Sequence, residues 1–196
     1  MDLIPGVVTV AGHLEIDHSI ATLVLAFATD PVARWMYADP HQYLLHMPRV
    51  FKALGTNSFR ERTAQRTGDG MAVALWLPPG VHSDARSVEV ILAESIADER
   101  QAEVGALFEQ TEQYRPAGPH WYLSLIGVDA RCRNRGYGET LLQHGLRRCD
   151  EEHLPAYLWS SNSQNISFYE RNDFIVVGTI QTGSSPSIFP MLRHAR

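Results

Sequence analysis

The chain has 196 residues, of which 44% are hydrophobic and 20% charged, and its formal net charge is −5. This balance is typical of a folded globular domain and excludes a disordered or fibrous chain. The acidic excess argues against a nucleic-acid backbone as the main partner, because the chain offers no basic field that would release counterions.

The N-terminus, Met1 to Pro5, lacks the basic segment and the long apolar run of a signal peptide. No apolar run approaches the ~20 residues that a membrane helix needs. Cys132 and Cys149 lie too far apart for a zinc ribbon or a redox dithiol, and free thiols fit a reducing compartment. We therefore predict a soluble, cytoplasmic protein without a metal or a membrane partner.

The first half of the chain is predicted to be mostly helical, with apolar stripes, Asp-Pro helix starts and a Gly-rich turn as the main signals. In chain order, we predict a helix from Asp17 or Ser19 to Phe27, a helix from Pro31 to Met36, a helix from Pro40 to about Leu54, strands Ser58–Ala64 and Met71–Leu77 around a turn at Thr67-Gly68-Asp69-Gly70, and a helical region from about Ser87 to Tyr114.

The second half alternates between strands and helices. We predict a buried strand His120–Val128, a helix Gly136–Glu152, a strand Ala156–Ser160, a helix Asn165–Asn172, and strands Phe174–Gln181 and Ile188–Arg193. This order predicts an α/β or α+β fold around a central mixed sheet. No linker divides the chain, so we expect one domain over residues 1–196.

The loop after the predicted strand His120–Val128 carries the strongest functional signal. It holds three arginines within five residues, and Gly136 and Gly138 then lead into the next helix. Glycines let consecutive N–H groups face one concavity, the helix N-terminus adds a positive dipole, and arginine can close over an anion. We therefore predict a phosphate or pyrophosphate site. A GxxxxGK[ST] sequence is absent, and Leu141 replaces the third glycine of a dinucleotide fingerprint.

Two motifs in this half resemble one known family. Residues 133–138 (RNRGYG) are similar to the [QR]-x-x-G-x-[GA] signature of the GCN5-related N-acetyltransferase (GNAT) superfamily, and residues 162–174 (NSQNISFYERNDF) resemble its second signature. The chain departs from the second signature at Asp173, where the family usually has glycine. Aspartate tolerates left-handed backbone better than most residues, so we still expect a turn there.

This resemblance implies a GNAT fold, with a mostly antiparallel twisted sheet flanked by helices and acetyl-CoA in the splay between two central strands. Residues 1–119 would form the acceptor-side half, 120–181 the coenzyme-binding core, and 182–196 a C-terminal loop and strand. The loop amides would hold the pyrophosphate, and the strand backbone would hold the pantetheine arm. The implied coenzyme-binding residues are Leu125, Ile126, Gly127, Val128, Arg133, Asn134, Arg135, Gly136, Tyr137, Gly138, Glu139, Asn165 and Phe168. Asn165 could equally act only as a helix cap.

The resemblance further implies that Tyr169 is the general acid, protonating the coenzyme thiolate as it leaves. The general base is less defined, because the predicted strand His120–Val128 carries no carboxylate. His120 has a suitable pKa range, and it or a chain of water molecules is our candidate for the base. The segment Trp159-Ser160-Ser161 lies where several relatives have a glutamate at a strand end, and no glutamate is present here.

The acceptor site is predicted from looser patterns. Parts of the chain resemble the puromycin N-acetyltransferase-like branch, which implies a small amine with an aromatic or hydrophobic body. Asp30 or Asp39 could attract its ammonium group, and the polar loop 183–187 could close over it. Candidate cleft residues are Trp35, Tyr37, Trp76 and Phe189.

We therefore predict an acetyl-CoA-dependent N-acetyltransferase that acts on a small primary amine, as a monomer or a homodimer. Two alternatives remain open, a protein or peptide N-acetyltransferase and a non-catalytic acyl-CoA-binding sensor.

Overall fold

Seven strands form one mixed sheet in the computed structural model, which describes residues 7–67 and 69–196. The strands are β1 Val8–Val10, β2 Ala64–Thr67, β3 Ala72–Leu77, β4 Trp121–Val128, β5 Ala156–Ser160, β6 Ile175–Val176 and β7 Phe189–Arg193. The helices are α1 Ile16–Ala26, α2 Pro31–Met36, α3 Pro40–Arg60, α4 Ala85–Ser95, α5 Asp98–Gln113, α6 Tyr137–Glu151 and α7 Ile166–Glu170. The predictions for Met1 to Pro5 and for Gly68 concern positions outside the described residues.

The strand order is β1-β2-β3-β4-β5-β7-β6, and the β4–β5 pair is parallel while the other paired strands are antiparallel. Alternate side chains of β3 lie on opposite faces of the sheet and belong to two different hydrophobic cores. Val73 and Leu75 pack under α1 and α3, whereas Ala74 and Trp76 pack under α6. The predicted mixed, mostly antiparallel sheet with helices on both faces is confirmed.

The Asp-Pro pairs in the sequence correctly predicted where two helices begin. Asp30 accepts hydrogen bonds from the Val32 and Ala33 amides, both at 3.0 Å, and so begins α2 as predicted. Asp39 begins α3 in the same way by accepting from the Gln42 amide at 2.9 Å. Both helices carry proline at their first position, where its missing N–H costs nothing.

Other boundaries differ from the predictions. The predicted strand Ser58–Ala64 is wrong, because residues 58–60 form the last turn of α3, whose Ser58 and Phe59 are buried at helical spacing from the rest of its apolar face. The strand begins only at Ala64. Neither Asp17 nor Ser19 caps α1, which follows a short 3-10 helix and has Glu15 at its N-cap.

The predicted strand Phe174–Gln181 is mostly irregular. Only the exposed residues Ile175 and Val176 pair with β7, and Ile180 adds one isolated bridge to Ile188. Strand β1 was not predicted, because three residues on the edge of a sheet show no usable periodicity. The helical region from Ser87 to Tyr114 is divided in two at Ile96-Ala97.

Strands β4 and β5 form an open fork. They pair only at Trp121–Ala156 and Tyr122–Tyr157, and no further β4–β5 pair follows among the described residues. Beyond this point β4 stays bonded to β3, and β5 stays bonded to β7. The β4 edge that faces β5 is therefore unpaired from Leu123 to Val128. No helix in the described part of the chain is long and apolar enough to cross a membrane.

Candidate active site

The unpaired edge of β4 offers backbone donors and acceptors to an extended ligand. Its six residues span on the order of 20 Å at about 3.3 Å per residue. A bulge at Ser124 shifts the register between β3 and β4, since Leu75 pairs with Leu125 and Trp76 with Leu123. An amide-containing arm can add to such an edge as a further strand does. The predicted coenzyme residues Leu125, Ile126, Gly127 and Val128 all lie on this edge.

Gly127 has a second role in the packing. A Cβ atom at this position would lie 2.8 Å from the Cβ of Ala26 and 3.0 Å from the Cδ2 of Leu23. Both neighbours belong to α1, so the absent side chain allows α1 to lie directly on β4. This close approach brings the C-terminus of α1 beside the open fork.

The loop between β4 and α6 has the backbone geometry of an anion site. Asn134 and Gly136 have positive φ angles of 60° and 82°, and Gly136 is the N-cap of the 15-residue helix α6. Alternating left- and right-handed residues turn successive N–H groups towards one concavity. The positive end of the α6 dipole points to the same place.

The three arginines of this loop have different partners. Arg131 pairs with Asp129 through two nitrogens, at 3.0 and 2.9 Å, and these bonds lower the pKa of Asp129 to about 2. Arg133 donates to the carbonyl oxygen of Ala26 at 2.9 Å and ties the loop to the end of α1. No hydrogen bond or ion pair engages the exposed Arg135 within the described part of the chain. Arg135 is therefore the most available cation for a bound phosphate.

Side chains at the start of α6 face the protein, not the concavity. Tyr137 is 1% exposed and donates to Asp69 at 2.9 Å. Glu139 accepts from Asn172 at 3.2 Å and from Gln143 at 3.3 Å. The buried Tyr137 can thus offer a ligand only its backbone, whereas the Glu139 side chain is exposed but engaged by its neighbours. Gly138 is next to free space, because a Cβ there would make only ordinary contacts with Val128 and Phe168, at 3.5 and 3.7 Å.

Tyr169 is buried in the core under α6, near enough to Asp30 for that charge to act on its phenol. It shares a buried cluster with Leu123 and Leu158, the first residues of the two strands after the paired segment. Its ring packs edge-on against Phe168 and Phe174. Burial and the nearby charge of Asp30 both raise the pKa of Tyr169, and its hydroxyl group has no hydrogen-bond partner among the described residues. The phenol is therefore protonated at neutral pH and free to donate.

The segment that leads into α7 is held by Asn162, whose side chain accepts from the Gln164 amide at 3.0 Å. Asn165 occupies the N-cap position of α7, but its side chain makes no capping hydrogen bond and is exposed. The alternative in which Asn165 acts only as a helix cap is therefore wrong. Asp173 has a φ of 64°, as expected for the residue that replaces the usual glycine.

His120 lies at the closed end of the fork, immediately before the paired residues Trp121 and Tyr122. Its Nδ1 atom is 2.7 Å from the carbonyl oxygen of Gly118, and its ring packs edge-on against Tyr157 at 6.1 Å. The paired segment thus separates His120 along the strand from the point where β4 and β5 diverge. Its assignment as the base stays a prediction.

A carboxylate lies near Tyr169 that the sequence motifs did not place there. Ser161, directly after β5, donates a hydrogen bond from its Oγ atom to Oδ2 of Asp30. Burial raises the pKa of Asp30 above its ordinary value, while the bonds from Ser161 and from the Ala33 and Val32 amides oppose this rise. No sequence signal could have found the pair, because 131 positions separate the two residues.

The predicted acceptor residues are only partly brought together. Trp35 donates from its indole nitrogen to Ser184 at 3.1 Å, and Ser184 donates to Glu103 of α5 at 2.7 Å, so the loop 183–187 is fastened to α2 and α5. Trp76 and Tyr37 do not join them, because Trp76 borders a pocket beside α6 and Tyr37 belongs to the core on the other face of the sheet. Trp76 lies under α6 against Gly145, and Tyr37 is 2% exposed with its hydroxyl group bound to Ser95.

Comparison with known proteins agrees with this geometry. Residues 86–174 match the family model described as Acetyltransferase (GNAT) family. Over 169 residues the chain is 27% identical to an uncharacterized N-acetyltransferase of Schizosaccharomyces pombe, which covers 79% of this chain and 68% of that protein.

Two solved structures share the whole fold. One is named as histone acetyltransferase HPA2 and related acetyltransferase from Corynebacterium glutamicum, with a TM-score of 0.71 and 23% identity over 99% of this chain and 98% of that one. The other is arylalkylamine N-acetyltransferase 2 from Aedes aegypti, with a TM-score of 0.66 and 12% identity over 97% of this chain and 99% of that one.

Residues 86–174 therefore form a GNAT acetyltransferase domain, and the relative and the solved structures support an acetyltransferase enzyme. The family uses acetyl-CoA as its co-substrate. Neither the relative nor the two structures single out the puromycin N-acetyltransferase-like branch, and that assignment stays a prediction.

Proposed function

We propose that the chain transfers the acetyl group of acetyl-CoA to the primary amine of a small molecule, by direct attack of the amine on the thioester in a ternary complex. The observation that carries the proposal is the protonated hydroxyl group of Tyr169, which has no hydrogen-bond partner among the described residues and lies in the buried cluster that β4 and β5 share. A thioester carried along the open β4 edge would reach this cluster from the phosphate-binding loop. We propose the residues of the edge and the loop, together with Asn165 and Phe168, as the coenzyme site.

In the proposed reaction, the amine nitrogen attacks the carbonyl carbon, the C–S bond breaks, and Tyr169 donates its proton to the departing thiolate. One N–H proton of the neutral amine then returns to the phenolate through water, and the amide product keeps the other. General acid catalysis of this kind contributes typically 10²–10⁴-fold. Raising the pKa of Tyr169 ensures that the proton is present on the phenol when the thiolate forms.

Direct attack is favoured over an acetyl-enzyme intermediate by the state of the cysteines. Cys132 and Cys149 are both buried, and burial raises the pKa of the Cys149 thiol to about 12. A nucleophilic cysteine needs a populated thiolate and access to the substrate. Neither condition is met by Cys149, and Cys132 lacks the access.

A small acceptor is favoured by the loop 183–187. Its Ser184 is attached to Trp35 of α2, the helix that Asp30 caps, and to Glu103 of α5, which holds the loop against the acceptor-side half, whereas a peptide substrate would need an open groove. The Aedes aegypti structure is named for an arylalkylamine substrate and the Corynebacterium glutamicum one for histones, so fold similarity does not choose between the two classes.

The test is a panel of alkylamines, arylalkylamines and polyamines incubated with acetyl-CoA, with release of free thiol as the readout and intact masses of a peptide library as a parallel arm. We expect thiol release that depends on a small primary amine. Acetylation restricted to peptides would favour the peptide acetyltransferase. Binding of acetyl-CoA without turnover of any amine or peptide would favour the sensor and contradict the proposal.

A further inference from the structure

The end of strand β5 lacks a carboxylate of its own, but the fold brings one there from the other half of the chain. Ser161 is the first residue after β5, and its hydroxyl group bonds to Asp30 at the start of α2. The close packing of α1 on Gly127 and the bond from Arg133 to Ala26 fix the turn that carries Asp30. A half-buried carboxylate is thus held beside the end of β5.

We propose that Asp30 is the catalytic proton acceptor for the incoming amine, and that Ser161 is a positioning residue that orients its carboxylate. This inference rests on the proposed function and names the group that would receive the ammonium ion. In the step it describes, the substrate ammonium binds the Asp30 carboxylate and transfers one proton to it. The resulting neutral amine attacks the thioester, and Asp30 then releases its proton to water.

The contacts of Asp30 leave it suited to this task. Its Oδ1 atom caps α2, so backbone amides fix the carboxylate in place, while its Oδ2 atom meets Ser161 beside the fork. No basic side chain forms an ion pair with Asp30 in the described part of the chain, so a cationic substrate would not have to displace one.

The groups around Asp30 also give the proposed acid, Tyr169, and the proposed base, Asp30, different protonation states at neutral pH. Burial, and in second place the Asp30 charge, raise the pKa of Tyr169 in α7 and of Tyr43 in α3, so both phenols are neutral at pH 7. Arg34, one turn further along α2, bonds to the Ala38 carbonyl and lies over the Tyr43 ring at 5.3 Å. Burial makes Asp30 a stronger base than an exposed carboxylate, which favours proton transfer from an ammonium ion.

The test compares Asp30→Asn with Asp39→Asn. Asparagine keeps the oxygen that caps the helix and caps about as well as aspartate, so both helices should still form. Asp39 has the same Asp-Pro context and the same capping role, but it is exposed and caps α3 instead. The measurement is kcat/KM against pH with the alkylamine of highest turnover in the amine panel, with acetyl-CoA affinity measured by calorimetry.

We expect Asp30→Asn to lower kcat/KM by on the order of 10²-fold at pH 7, as for loss of a general base. The deficit should shrink at alkaline pH, where the free amine becomes abundant, and acetyl-CoA affinity should be unchanged. Asp39→Asn should follow the wild-type profile. Loss of activity in His120→Ala with the same pH dependence, or a wild-type profile for Asp30→Asn, would overturn the assignment.

Ser161→Ala tests the positioning role through the pH profile of kcat/KM, which would not shift if Ser161 only stabilised the fold. The Ser161 hydrogen bond lowers the pKa of Asp30, so its removal should raise that pKa and shift the acidic limb of the kcat/KM profile to higher pH. Ser161→Thr should restore the limb, whereas an unshifted limb in Ser161→Ala contradicts the positioning role. A wild-type enzyme that acetylates no amine contradicts the proposed function itself, and this inference with it.

Discussion

The coenzyme loop and the Asp30 region lie at the same fork but offer opposite chemistry. The loop presents backbone N–H groups, a helix N-terminus and the exposed Arg135, while the side chains of Tyr137 and Glu139 are engaged with the protein. The Asp30 region instead depends on single side chains, namely the half-buried Asp30 carboxylate and the buried Tyr169 phenol. Binding at the loop should therefore be sensitive to space near the backbone, and catalysis at the other region to individual functional groups.

The largest effect is expected from filling the space at the loop. Gly138→Val places a branched side chain where amides must approach a phosphate, and the new Cβ would make only ordinary contacts within the protein. We expect the variant to fold but to lose the thermal stabilisation that acetyl-CoA gives to the wild type, since a ligand of the native state stabilises by mass action. Gly136 is unsuitable for this test, because its φ of 82° would strain any side chain.

The matched control is Gly105→Val. Gly105 lies within α5, where an added Cβ meets nothing within 4 Å, so the same substitution is made far from the loop. This control should keep the shift in melting temperature with acetyl-CoA. Calorimetry that finds wild-type affinity in folded Gly138→Val would remove the loop from the coenzyme site.

The second effect concerns the phenol of Tyr169. Tyr169→Phe retains the ring that packs against Phe168 and Phe174 but removes the proton donor. We expect kcat to fall by on the order of 10²-fold, as is typical when a general acid is lost, with acetyl-CoA binding nearly intact. Steady-state kinetics showing wild-type kcat would mean that water or another group protonates the thiolate.

A smaller effect tests whether side chains at the start of α6 are structural. Tyr137→Phe removes the hydroxyl group that donates to Asp69, at 2.9 Å, and leaves the backbone of the loop unchanged. We expect a loss of about 1 kcal/mol in the free energy of unfolding, the usual net value of one hydrogen bond. Acetyl-CoA affinity measured by calorimetry should stay at the wild-type value, and a large fall would show that the phenol itself contacts the coenzyme.

The two regions also differ in how far the sequence predicted them. The coenzyme side is continuous in the chain, so the strand, the glycines and α6 could be predicted from residues 120–152 with boundaries correct to one residue. The left-handed backbone of Asp173 could also be predicted locally, because aspartate tolerates that conformation better than most residues. The acceptor side is assembled from distant segments, and no local pattern could link Asp30 to Ser161 or Trp35 to Ser184. The face of Trp76, which was predicted as a candidate for the acceptor cleft, could not be predicted because a strand buried on both sides gives no alternation, and all six residues of β3 are buried.

The smallest effect follows from the cost of burying the Asp30 charge. The folded pKa of Asp30 is raised above its unfolded value near 3.8, so the folded state binds the proton more tightly. Ionised Asp30 therefore destabilises the fold, and stability is lost as pH rises from the unfolded pKa through the folded pKa.

Asparagine at position 30 carries no charge and keeps the oxygen that caps α2. We expect Asp30→Asn to unfold at higher denaturant concentration than the wild type at pH 7, and the difference should vanish at pH 3, where both states bind the proton. Asp39→Asn should show no such gain, because its carboxylate is exposed. If Asp30→Asn is more stable at neutral pH but far less active, the wild type keeps this destabilising charge for catalysis. A less stable Asp30→Asn would mean that Asp30 serves the fold alone.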